Sequence, residues 1–88
     1  MDQAVKARPT IALDSVESSQ LHSIGYHPET QTLAIQFLNK EKGPGSLYHY
    51  ENFTQADWDE FRNAVSFGSH FKKFIKPNAE KYPYTRIE

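Results

Sequence analysis

The chain has no cysteine among its 88 residues. Disulfide staples, thiolate nucleophiles and cysteine metal ligands are excluded, and a reducing, cytoplasmic setting fits. Long apolar runs are missing as well. Nothing approaches the roughly 20 residues of a membrane helix. The opening Met1-Asp2-Gln3-Ala4-Val5-Lys6-Ala7-Arg8-Pro9 lacks the apolar stretch of a signal peptide, so no secretory leader and no membrane association are expected. Catalytic patterns are absent too. There is no nucleophile-elbow glycine pattern, phosphate-cradling loop or paired-carboxylate signature. Gly43-Pro44-Gly45 cannot cradle phosphate, because Pro44 has no amide to donate and no Lys-Ser/Thr follows. His22, His27, His49 and His70 show none of the paired spacings of a zinc site. The expectation is a module without enzymatic activity, metal or cofactor.

Aromatic residues are plentiful: six Phe, five Tyr and one Trp. Each buries a large area, so a few can build the core of one small domain. The net charge of −1 is unevenly spread. Residues 70–88 carry Lys72, Lys73, Lys76, Lys81 and Arg86 against Glu80 and Glu88, a local excess of three positive charges. Such a segment is either a solvated helix face or the footprint of an anionic partner.

Residues 1–14 mix charge, Pro9 and isolated apolar positions without a sustained period, and read as a flexible arm with Ile11 and Leu13 laid against the domain. The domain proper is expected over 15–88. Three strands are expected near 20–27, 32–38 and 46–50. Gly25 interrupts the first and marks a bulge or a close backbone approach. In the second, Leu33, Ile35 and Phe37 share one face; in the third, Tyr48 and Tyr50 do. Thr54 and Asp57 form a capping-box pattern, with Phe53 and Trp58 at staple spacing, for a helix over 55–65. Trp58, Phe61 and Val65 make its apolar stripe. Ser66 caps a second helix over 67–75, whose Phe67, Phe71, Phe74 and Ile75 form one face and whose lysines lie mostly on the other, with His70. Gly68 inside it costs about 1 kcal/mol against Ala and points to a tight contact. Pro77 is expected to end the helix. Lys81 to Ile87 reads as extended, an edge strand or a strap. The fold class is α+β: a three-stranded antiparallel meander followed by two helices packed on one face, with an extended tail. Trp58, Phe61, Phe71 and Phe74 are expected in the core.

Several stretches together resemble the KTSC domain family: Ser18-Ser19-Gln20-Leu21, Ile24-Gly25-Tyr26, Pro28-Glu29-Thr30-Gln31-Thr32-Leu33, Tyr48-His49-Tyr50, Phe71 and Tyr82-Pro83-Tyr84-Thr85-Arg86. That family is named for its place at the C-terminus of some lysyl-tRNA synthetases, and also occurs as small stand-alone bacterial and phage proteins. The loop Asn39 to Gly45 is longer here than the family's tight glycine turn. The resemblance implies a compact domain with a suggested link to RNA, and supplies no catalytic residue.

Two kinds of partner remain open. RNA would stack unpaired bases on exposed tyrosines and meet lysines with its phosphates. The candidates are Lys72, Lys73, Lys76, Tyr82, Tyr84 and Arg86. Tyr48 and Tyr50 are either core or a stacking platform; Glu51 marks the opposite face as solvent, which turns the pair inward. The other partner is a protein, recruited by an open strand edge near the tail. The chain is expected to act as a monomer.

Overall fold

A computed structural model describes residues 11–88. Residues 1–10, most of the expected arm, lie outside the described residues.

Alternation of apolar and polar residues makes the sheet. Strands β1 (Asp14–Ser15), β2 (Leu21–His27), β3 (Thr32–Leu38), β4 (Pro44–Tyr50) and β5 (Tyr84–Arg86) form one five-stranded sheet in the order β1-β2-β3-β4-β5. Every neighbouring pair is antiparallel. The expected meander is therefore its centre, and the count of three strands is corrected to five. The two additions are edge strands of two and three residues, too short to display a period. Both are held by pairing with a strand already present.

The register sets which side chains share a face. Ile35 lies opposite Tyr48, Leu33 opposite Tyr50, and Tyr50 opposite Tyr84. This face is covered by helices α1 (Gln55–Arg62) and α2 (Phe67–His70), and the core between holds Leu21, Ile24, Leu33, Ile35, Phe53, Phe61, Phe71 and Ile75. On the opposite face His49 sits between Ala34 and Thr85 and is buried. Gly25 provides a close approach and not a bulge: a Cβ there would run into the Ala12 carbonyl, so the end of the arm lies against β2. The register shift falls between Leu21 and Ser23.

The α1 start is as the sequence implies. The Asp57 amide donates to Thr54 Oγ1 and the Thr54 amide to Asp57 Oδ2, both at 3.1 Å. The helix stops at Arg62, short of the expected 65, which leaves Val65 fully exposed and outside the stripe. Trp58 is half-buried at the core's rim, stacked on Tyr26 with centroids 5.3 Å apart. Ser66 caps α2 through the Ser69 amide, and a Cβ on Gly68 would come within 3.3 Å of Gln20 Oε1.

From Phe71 to Ile75 the second helix becomes a π turn, and Lys76–Asn78 continues as a 3₁₀ turn that contains Pro77. Pro77 thus sits inside the helical path, where a tight turn's start needs no amide from it. The π turn also moves Phe74. A turn closed by i→i+5 bonds holds more than four residues, so a three-residue step falls short of a full revolution. Phe71 and Ile75 stay buried while Phe74 rotates out to 54% exposure, against the core position expected for it.

Candidate functional site

The tail is drawn onto the sheet by backbone bonds. The Glu51 amide donates to the Pro83 carbonyl at 2.8 Å and the Ile87 amide to the Leu47 carbonyl at 2.7 Å. This pairing puts Tyr84 beside Tyr50 and Arg86 beside Tyr48, on the helix side of the sheet. The helices do not reach that far across. A cleft of about 530 Å³ stays open between β4–β5 and the π turn.

Its walls are aromatic. Phe37, Tyr48, Tyr50 and Tyr84 line it from the sheet, Phe71 and Ile75 from the π turn. The Tyr48, Tyr50 and Tyr84 rings form a triangle, with centroids 6.3, 5.8 and 5.7 Å apart. Phe71 braces it edge-on, 5.8 Å from Tyr50 and 5.3 Å from Phe37. Ser46, Lys76 and Ala79 complete the lining. Tyr84 is 57% exposed and forms the outer wall, while Tyr50 is 5% exposed and forms the floor. The Tyr50 phenol is pushed well above its ordinary range, first by burial and then by Tyr48 and Tyr84. It stays a neutral hydroxyl throughout the physiological range.

Of the six residues singled out from the sequence, Lys76 and Tyr84 line this cleft, and Arg86 lies across from Tyr48 at its edge. Lys72 and Lys73 are exposed on the π turn without lining it. Tyr82 goes elsewhere. It is 5% exposed, packs 5.1 Å from Phe53 and carries the Lys81 ammonium over its ring at 5.1 Å. Burial raises its phenol, and Asp57 acts in the same direction while Lys81 opposes. A smaller polar recess of about 170 Å³ lies there, lined by Asp57, Glu60, His70, Lys81 and Tyr82 among others. Tyr82 is therefore a core residue, and of the two tail tyrosines Tyr84 alone lines the cleft.

Sequence reasoning set core against platform for Tyr48 and Tyr50, and the structure combines them. Tyr50 is buried and yet floors an open cleft, because the second layer ends short of β5. Phe37 and Ser46 were not singled out; their alternation with Tyr48 across the hairpin was the available signal. Among the described residues, no group of three or more His, Asp or Glu is placed to share a metal ion, and no helix is long and apolar enough to cross a membrane.

Comparison with known proteins matches residues 17–82 to the KTSC domain. An uncharacterized protein of Stutzerimonas stutzeri is 36% identical over 74 residues, covering 84% of this chain and 94% of that protein. A lysine–tRNA ligase of Nostoc punctiforme is 38% identical over 60 residues, which is 68% of this chain but 10% of the ligase. The crystal structure of a KTSC domain protein from Yersinia pestis has a TM-score of 0.73 and 30% identity, covering 90% of this chain and all of that one.

Proposed function

The chain belongs to the KTSC domain family, and on that premise we propose that it is a small non-catalytic module that binds single-stranded RNA. One observation carries the reading: an open tyrosine cleft has Lys76 in its lining and Arg86 paired across from Tyr48. Tyr84 offers a ring face to a base, as in sequence-tolerant single-strand binders. Lys76 and Arg86 at the cleft, with Lys72 and Lys73 on the adjoining turn, supply charge to phosphates. A similar segment inside proteins named lysine–tRNA ligases agrees with an RNA partner.

Amide-shift titration of the protein with a short single-stranded RNA, at low and at physiological salt, tests this. The reading expects shifts on residues 46–50, 71–79 and 84–86 that persist at the higher salt, with weaker binding of a duplex. No shift at either salt overturns it. That result would favour a second reading, a protein adaptor, whose support is that β5 stands at the edge of the sheet.

A further inference from the structure

We propose that the cleft is a subsite for one unstacked nucleobase, stacked against Tyr84 and Tyr48 and hydrogen-bonded along its edge by the Tyr50 hydroxyl. The inference rests on the RNA reading above and assigns its floor. Tyr50 is 5% exposed and lines the cleft, and its hydroxyl makes no hydrogen bond to another described residue. Buried tyrosines ordinarily direct the hydroxyl to a partner. Here the ring is enclosed by Leu33, Phe71 and Tyr84, and the hydroxyl is left to whatever enters the cleft. Because it remains protonated, it both donates and accepts, which suits the mixed carbonyl and ring-nitrogen edge of a base.

Size and charge narrow the occupant. A cleft of about 530 Å³ lies within the range of small-molecule sites, and suits one base with its sugar rather than a duplex. Three tyrosines could also cage an organic cation, but the Lys76 ammonium in the lining opposes one. The phosphates flanking an inserted base would instead meet Lys76 and Arg86.

Tyr50→Phe separates a ligand-binding hydroxyl from a structural one. The substitution keeps the ring and removes an oxygen with no partner among the described residues, so the thermal midpoint should hold or rise. Affinity of the full chain for a short oligouridine should fall about 5- to 10-fold, the worth of one hydrogen bond. Affinity for a ribose-phosphate oligomer of the same length without bases should be weaker in the parent protein and unchanged by the substitution. If both proteins bind oligouridine equally, the Tyr50 assignment is overturned while the RNA reading stands. If neither oligomer binds the parent protein, the reading fails and the subsite with it. A proline-rich peptide bound in place of RNA, and weakened by Tyr50→Phe, would assign the cleft to a protein partner and overturn the proposal.

Discussion

Two pairs of like residues show how differently one side chain can be used in this fold. Phe61 is fully buried, touching Phe53, Trp58 and Phe67, whereas Phe74 is 54% exposed. Phe61→Ala should cost about 3–5 kcal/mol of unfolding free energy and Phe74→Ala well under half of that. Urea midpoints with unchanged slopes check the pair; equal losses would mean that Phe74 is core after all. Tyr82 and Tyr84 divide likewise. Tyr82→Ala should unfold the protein more readily, while Tyr84→Ala should leave stability nearly intact and reduce RNA affinity by about tenfold, the worth of one stacked base. His70 adds a pH dependence. Burial against Phe61 and Phe74 holds its imidazole below the ordinary 6.5, although Glu60 and Asp57 pull the other way. The folded state thus binds the proton less readily than the unfolded one, and stability is present above 6.5 and lost as the pH falls. His70→Phe should flatten the decline in thermal midpoint between neutral pH and the onset of carboxylate protonation. An unchanged decline would assign it to other groups.

At the scale of elements, the helices begin where local chemistry says and end where packing says. Thr54→Ala removes the side-chain arm of the capping box, while the amide at 54 still donates to Asp57, and should cost about 1 kcal/mol, read from thermal unfolding. Thr54→Ser should restore most of the loss, and a failure to do so would mean that the threonine methyl, not the hydroxyl, supplies it. The π turn has a different origin. Its i→i+5 bond, from the Lys76 amide to the Phe71 carbonyl, keeps Phe71 and Ile75 on the sheet at the expense of Phe74. The same shift brings Lys76 to the cleft. Helical spacing alone left Lys76 on the outer face with Lys72 and Lys73, since it assumed 3.6 residues per turn throughout.

For the whole molecule, charge distribution matters more than its sum. The net charge is −1, yet the four cations of the proposed interface come from one segment, with Lys76 in the cleft lining, Arg86 opposite Tyr48, and Lys72 and Lys73 on the adjoining turn. Single-strand affinity should therefore fall with salt with a logarithmic slope of roughly −0.7 per phosphate neutralised, about −3 if all four cations engage. Lys76→Gln should make that slope shallower by about one such step. A slope untouched by Lys76→Gln would place the phosphates elsewhere. Removing residues 83–88 deletes β5 and the outer wall together, and should abolish binding while leaving the β2–β4 centre folded, as judged by amide spectra.

Much of this protein was legible along the chain because it depends on near neighbours. The three central strands follow from alternation, the α1 start from Thr54 and Asp57, and the basic end from a plain reading of charge, while Gly25 was legible only as a bulge or a close approach until Ala12 was placed against it. What tertiary structure decided depends on partners distant in sequence. Tyr84–Arg86 becomes a strand only because β4 has a free edge to pair with. Tyr82 and Tyr84, two residues apart in a motif, separate into core and cleft because the second layer covers one and stops before the other. Tyr50 is both buried and open to the cleft for the same reason. No local period records where a layer ends; that is settled by how far the helices, turned by the π bond, extend over the sheet.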